Sequence, residues 1–341
     1  MAAGALKFAA RRIAEALPVL FGVVVVTFLM TRALPGDPAA YFAGMSTSFE
    51  AIEQVRRNLG LDKPLYEQFF IYLEQLARGD LGVSLTTGRP VAVEIAERLP
   101  ASLELTVVAI GLSALVAIPL GVLAATRPDG WLDHLCRIST TAGVSLPTFF
   151  TGLLLVFVFY YLLGWAPPPM GRLDSFLSEP AKVTGSLLVD ATLAGDFEVL
   201  WAATGQMVLP AATMAIFTMA PLARMTRASM LAALSGDYVR TARALGLGRR
   251  RVLVTYALRN ALLPVVTILG MVFSFALGAN VLVEKVFAWP GIGSYALDAL
   301  VQLDYAPVQG FVLTMATLYV LLNLVIDILY GLIDPRVAFA Q

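Results

Sequence analysis

The 341-residue chain is 58% hydrophobic and only 14% charged, with a mean hydropathy of +0.78; these values exclude an ordinary water-soluble domain and require a protein that crosses a membrane repeatedly. Its 24 basic and 24 acidic residues cancel, which leaves no basic surface for a nucleic-acid partner. The single cysteine, Cys136, excludes an internal disulfide. Together with the single histidine, His134, it falls short of the four ligands of a structural metal site, and the pair reads as membrane-boundary residues.

A bilayer core takes about 20 apolar residues of helix. The first such run is Ile13 to Thr31, behind Lys7, Arg11 and Arg12. Arg32, Pro35, Gly36 and Asp37 follow it instead of a small-residue cleavage site, so it reads as a retained helix and not a signal peptide. Arg32 to Arg98 is mixed in charge and holds two helix-like stretches separated by Gly60 and Pro64. The second is amphipathic: Leu65, Phe69, Tyr72, Leu73 and Leu76 recur at helical spacing, with Asp62 as the expected cap, Pro64 in the first turn and Gly79 at the end.

Five further spans are expected, at Leu103 to Ala125, Ile138 to Leu163, Met207 to Ala223, Leu262 to Val283 and Gly310 to Leu332. Pro210 and Pro221 leave the fourth span with the least defined ends, and Pro119, Pro147 and Pro264 fall near span ends, where neighbouring helices satisfy freed carbonyls. Between the third and fourth spans, residues 164–206 are too long for a plain connector. Apolar character returns there at Leu187, Leu188, Val189 and Leu193, which predicts a folded piece.

Orientation follows from the basic residues flanking the spans. Lys7, Arg11 and Arg12, then Arg127 and Arg137, then Arg224, Arg227, Arg240, Arg243, Arg249, Arg250, Arg251 and Arg259 lie on one side. On the other side Phe287 to Gln309 has no Lys or Arg but carries Asp298 and Asp304, and residues 164–206 carry Arg172 and Lys182 against five acids. Both termini are therefore expected in the cytoplasm. No internal repeat of the kind that marks inverted-repeat secondary transporters is visible.

The basic segment between the fourth and fifth spans predicts a short helix from Asp237 to Leu245, a turn at Gly246 to Gly248, and a second helix leading into the fifth span. Tyr238, Thr241, Ala242, Leu245, Val252, Leu253 and Tyr256 are its expected apolar stripe. A short helix anchored at both ends is a lever that a soluble partner can push; its arginines would in any case enforce topology.

The pattern Asp237-Tyr238-Val239-Arg240-Thr241-Ala242-Arg243-Ala244-Leu245-Gly246, followed by Ala257-Leu258-Arg259-Asn260-Ala261-Leu262-Leu263-Pro264, resembles the ATPase-coupling loop of ABC-importer permeases. Only Ala242, Gly246 and Leu258 hold to the general family form, whereas the dipeptide and oligopeptide branch fits much better. Leu34-Pro35-Gly36-Asp37-Pro38, Leu59 to Leu65, Gly79 to Ser84, Arg98-Leu99-Pro100 with Glu104, Phe287 to Gly293, Asp304-Tyr305 and Asp334-Pro335-Arg336 are similar, in order, to the dipeptide permease B type, over nearly the whole chain.

The resemblance implies an all-α polytopic membrane protein with six transmembrane helices, the type I ABC importer transmembrane domain, in a bacterial inner membrane. It implies a cytoplasmic N-terminus and first helix over residues 1–32, a periplasmic helical segment over 33–100, and a five-helix permease core over 101–334. That core would carry a periplasmic loop at 164–206 and a cytoplasmic ATPase-coupling loop at 224–261, with a cytoplasmic tail at 335–341. A homologous second permease of the C type, two ABC ATPases and a periplasmic substrate-binding protein would be the partners; the amphipathic Leu65 helix itself reads equally as a small cap packing on the spans and as a platform for the binding protein. Asp237, Tyr238, Arg240, Thr241, Ala242, Arg243, Leu245, Gly246, Arg249 and Arg250 would contact the ATPase, with Tyr238, Ala242, Leu245 and Gly246 in its groove and Arg243, Arg249 and Arg250 at the rim. The chain has no Gly-Lys dipeptide and so no phosphate-binding Walker loop. It is expected to be no enzyme and to hold no cofactor or metal, with Mg-ATP bound by the partner subunits. Dipeptides are the expected cargo, and oligopeptides, glutathione, haem precursors or nickel chelates the alternatives.

Polar groups at membrane depth need partners or a wet lining; here they are Glu104, Asn280, Glu284, Asn323 and Asp327. Asn280 and Glu284 share a helical face and read as either a pathway gate or a helix–helix hydrogen-bonding pair. Phe287 and Trp289 read as an external gate or an interfacial aromatic anchor, and Asp327 as a structural partner of an arginine such as Arg12 or Arg137. A self-contained secondary transporter would want coupling acids midway along its spans, and a sensor would want a soluble signalling domain larger than these cytoplasmic segments.

Overall fold

The computed structural model describes residues 2–33, 39, 48–58 and 60–333. The Leu34 to Pro38 motif, Leu59 and the Asp334 to Arg336 motif lie outside these, as do the side chains of Arg12 and Asp327. Among the described residues the chain is helical, and the only β pairing is a single bridge between Val83 and Pro90. Two compact units emerge, Met1–Pro100 with Gly291–Leu321, and Ala101–Pro290 with Leu322–Gln341.

In the first unit, α1 (Ala2–Ala33) is followed by α2 (Phe49–Asn58) and α3 (Leu65–Ala77). The residue before α3 is Pro64, which makes no side-chain cap; Asp62 therefore does not cap this helix, because the proline's fixed φ starts it. Leu65 is exposed, and Phe69 and Tyr72 carry the stripe, stacking around Phe28 of α1 at 5.2 and 5.9 Å between ring centroids. Arg32 lies 5.1 Å from the rings of both Phe28 and Tyr305 and donates to Gln68 Oε1 at 2.8 Å, contacts that seat its charge. The start of α4 (Val91–Thr126) and α12 (Ile292–Val301) pack through Val91, Ile95, Ile292 and Tyr295. Tyr295 donates to Glu94 at 2.5 Å, and burial together with this carboxylate pushes its phenol far above the ordinary range. Ser84 and the Thr86 amide both donate to buried Asp304, at 2.7 and 3.1 Å. These contacts close the Gly79 to Ser84 motif onto the start of α13 (Tyr305–Ile333).

The second unit is built around α8 (Phe197–Leu234), preceded by α5 (Trp131–Ser145), α6 (Thr148–Leu155, continued by a π-helical stretch Val156–Leu162) and α7 (Leu187–Ala194). After α8 come α9 (Asp237–Ala244), α10 (Arg249–Arg251, continued by a π-helical stretch Val252–Leu258) and α11 (Arg259–Val286). Helices α4 and α8 touch at Gly121, where a Cβ would come within 2.7 Å of Thr226 Cβ and 2.8 Å of the Ala223 carbonyl oxygen. Glycine is required there, because in lipid close backbone approach and the dispersion contacts it allows drive helix association.

Among the described residues five helical stretches are long and apolar enough to cross a membrane: Glu15–Ala33, Val91–Thr126, Phe197–Leu234, Arg249–Gly278 and Tyr305–Ile326. The expected third span, Ile138 to Leu163, is not one helix. It breaks at Leu146 and Pro147, whose ψ values of 139° and 140° are extended. Proline forces its predecessor out of the helical region and supplies no N–H. Pro119, Pro210, Pro221 and Pro264 by contrast lie inside continuous helices. The fourth span, expected from Met207, starts ten residues earlier at Phe197, with Asp196 accepting from the Val199 amide at 3.1 Å as its cap. Arg224 and Arg227 are consequently helical residues of α8 and not part of a loop.

Candidate functional site

The basic segment folds nearly as its glycines dictate. Gly236 opens α9, Gly246 reverses the chain at φ +75°, and Gly248 opens α10. Of the expected stripe, Ala242 and Val252 are buried, at 2% each, whereas Tyr238, Thr241 and Leu245 face outward. The inner face is Val239 with Ala242, packed with Ala125, Met230, Ala233, Val252, Ala257 and Ala261. Val239 is fully buried, a contribution of about 2 kcal/mol for a valine side chain. Ala242 therefore belongs to the seat that holds α9, and does not present its side chain to a partner. Tyr238, Arg240, Thr241, Arg243, Leu245, Gly246, Arg249 and Arg250 are exposed around it, with Asp237 and Arg240 3.3 Å apart.

A second cluster seats the helix that leads into this segment. Asp133, fully buried near the start of α5, accepts from Arg227 Nε, from Arg227 Nη2 at 2.8 Å, from Arg137 Nη2 at 2.8 Å and from the Asp129 amide at 3.0 Å. Arg137 also reaches Asp129 at 2.6 Å, so it is already engaged by two acids. Sequence reasoning counted Arg227 only as a topology signal, offered Arg137 as a partner for Asp327, and passed over Asp133. Its signal was a carboxylate in the first turn of a helix close to membrane-boundary arginines. The hydrogen bonds from Arg227 hold the Asp133 carboxyl well below the usual carboxylate range. A depressed folded-state value means that its contribution to stability is complete above the unfolded value near pH 4 and is lost as pH falls through the folded one. Asp133→Asn should therefore flatten the acid limb of thermal stability below about pH 4, measured by melting the detergent-solubilised protein across pH; an unchanged acid limb would refute the assignment.

The four residues read as a gate or anchor are all buried in this unit: Asn280 at 1%, Glu284 at 0%, Phe287 at 3% and Trp289 at 1%. Asn280 Nδ2 donates to the Ser102 carbonyl at 3.2 Å and to Thr106 Oγ1 at 3.3 Å, and Ser102 Oγ donates to Glu284 at 2.5 Å. Trp289 Nε1 donates to the Ala101 carbonyl at 3.0 Å. The interfacial-anchor reading of Phe287 and Trp289 is thereby corrected, since their rings pack among Leu105, Met207, Met214 and Val283 and leave nothing to reach a membrane surface. The Asn280–Glu284 face bonds one helix to another.

The long loop is folded, as its apolar return predicts. Ser186 caps α7, and Gly195 at φ +69° ends it. Glu104 of α4 lies at the N-terminus of α7, accepting from Ser186 Oγ at 2.6 Å, the Leu188 amide at 2.8 Å and Arg172 at 2.7 Å. Glu104 thus finds its partner in a loop arginine that composition alone had counted only as charge.

Comparison with known proteins places this geometry. Residues 117–339 match the family model for a binding-protein-dependent transport system inner membrane component, and residues 5–106 match the model of its N-terminal part. The chain is 46% identical over 319 residues to the probable D,D-dipeptide transport system permease protein DdpB of Escherichia coli, covering 94% of each chain. It is 42% identical over 333 residues to the di/tripeptide transport system permease protein DppB of Pseudomonas aeruginosa, covering 97% of this chain and 98% of the relative. It is 38% identical over 334 residues to the glutathione transport system permease protein GsiC of Escherichia coli, covering 98% and 99%. A multi-pass helical chain that matches both family models and aligns nearly end to end with these permeases belongs to the binding-protein-dependent transport system membrane components, as an ABC-importer permease of the dipeptide type.

Proposed function

We propose that this chain is the pore-forming half of an ATP-driven importer that moves dipeptides or short peptides into the cytoplasm across a bacterial inner membrane. In this reading both termini are cytoplasmic, a homologous permease completes the pathway, and a periplasmic binding protein delivers cargo. Two partner ATPases bind and hydrolyse Mg-ATP. The observation that carries it is the seating of α9: Val239 and Ala242 are locked inward while Tyr238, Arg240, Thr241, Arg243 and Leu245 project as a rigid knob. Because α9 is wedged between the end of α8 and the start of the α10–α11 rod, a push on the knob moves these elements as one body, the kind of motion on which alternating access depends. The transport systems for which the relatives are named, D,D-dipeptide and di/tripeptide, supply the cargo class.

The test is affinity purification of the tagged chain from mild detergent with mass spectrometry of its companions, followed by reconstitution with labelled alanyl-leucine. A second multi-span permease, one or two ATPases and ATP-dependent uptake are expected. A chain that purifies alone, or that takes up solute on an ion gradient without ATP, would overturn the reading. The glutathione permeases among the relatives make glutathione the second solute to assay.

A further inference from the structure

Two cavities in the second unit share one residue. The first, of about 580 Å³, lies between α5 and α8, with Arg137, Thr140, Thr141 and Ser145 on one wall and Arg224 and Arg227 on the other. The second, of about 330 Å³, lies between α8 and α11 and is lined by Phe217, Pro221, Ile268, Met271, Val272 and Phe275, again with Arg224. Both volumes are in the range that accommodates small ligands. Phe217, Pro221 and Arg224 follow at intervals of four and three, so they share one face of α8, and Ile268, Met271, Val272 and Phe275 likewise share one face of α11. An apolar chamber and a hydroxyl-lined basic chamber therefore share Arg224 as a lining residue.

The charges around that guanidinium do not cancel. Asp129 and Asp133 already take Arg137 and Arg227, two acids against two bases. No carboxylate among the described residues lies within ion-pair distance of Arg224, and neither cavity wall contains an acid. Arg224 is exposed, has a cavity on either side and no carboxylate partner among the described residues, so its planar guanidinium fork is free to take a ligand carboxylate bidentately.

We propose that Arg224 binds the C-terminal carboxylate of the cargo during translocation, with an apolar side chain of that cargo in the Met271 chamber. The inference rests on the importer reading above. It fixes the substrate class as small solutes in which a free carboxylate adjoins an apolar group. Arg224 lies ten residues before the end of α8 at Leu234, so the site is about 15 Å along that helix from the end that adjoins the knob. The helix to which the knob is attached also holds the cargo.

The test uses the full importer assembly in proteoliposomes, with uptake of labelled alanyl-leucine and of glycyl-glycine read per ATP hydrolysed. Arg224→Gln should lower uptake per ATP at least tenfold for both peptides, and Arg224→Lys should restore part of it. Met271→Trp, at a half-exposed position where added bulk does not disturb the core, should depress alanyl-leucine uptake several-fold more than glycyl-glycine uptake. Unchanged uptake per ATP in Arg224→Gln, or equal loss of both peptides in Met271→Trp, would overturn the proposal while leaving the importer reading intact. A defect of Arg224→Gln that vanishes in vesicles without anionic lipid would show that the cavity seats a lipid headgroup, which also overturns it. Absence of any ATP-driven peptide uptake by the wild-type assembly would count against the importer reading itself.

Discussion

Ala242→Glu is expected to cut ATP-driven uptake more than tenfold, and to do so by unseating α9. Ala242 is 2% exposed among Met230, Val239, Val252 and Ala257. An unpaired carboxylate there costs several kcal/mol, more than the roughly 2 kcal/mol that burial of Val239 contributes. The helix is only eight residues long, too short to persist undocked, so it should leave its seat. Hydrogen exchange over residues 237–251 should report lost protection at the Val239 and Ala242 amides, alongside loss of the ATPase from the purified complex. Tyr238→Ala is the contrasting variant: on the outer face, it should keep that protection and still weaken ATPase co-purification. Wild-type uptake by Ala242→Glu would remove this segment from the coupling route.

Glu104→Ala should destabilise the second unit by about 3–5 kcal/mol, the cost of breaking a buried ion pair by deleting one partner. The carboxylate is the acceptor for Arg172 Nη2, Ser186 Oγ and the Leu188 amide, and Arg172 is 9% exposed. The chain can recover part of that cost only by letting the arginine out to water, which drags the loop before α8, residues 164–196, with it. The expected result is a lower melting temperature and new protease sensitivity confined to that loop. The double variant Glu104→Met with Arg172→Met, which leaves no lone buried charge, should recover most of the loss. A double variant no better than Glu104→Ala would show that the bonds to Ser186 and α7, and not the ion pair, hold the loop.

What the sequence determined by itself are the properties that depend on local pattern. Apolar runs of membrane length mark most of the spans, Gly246 and Gly248 mark the turn after α9, and the return of apolar residues at Leu187 and Leu188 marks α7 inside a long loop. The motif order from Leu34 to Arg336 carried the family, because each motif is local in sequence and needs no knowledge of the fold. Tertiary structure alone decided which apolar residues face protein and which face outward. Tyr238 and Ala242 look equally suited to a docking stripe in sequence, yet only Ala242, with Val239, is drawn inward by Met230 and Ala257. Trp289 looks like an interfacial anchor until the Ala101 carbonyl, 188 residues away in sequence, takes its N–H. The partners of Asp133 and Glu104 are likewise 94 and 68 residues distant. Hydropathy averages over a window and periodicity reads one helix at a time, so neither can see a pairing whose energy comes from desolvating two groups that the fold brings together.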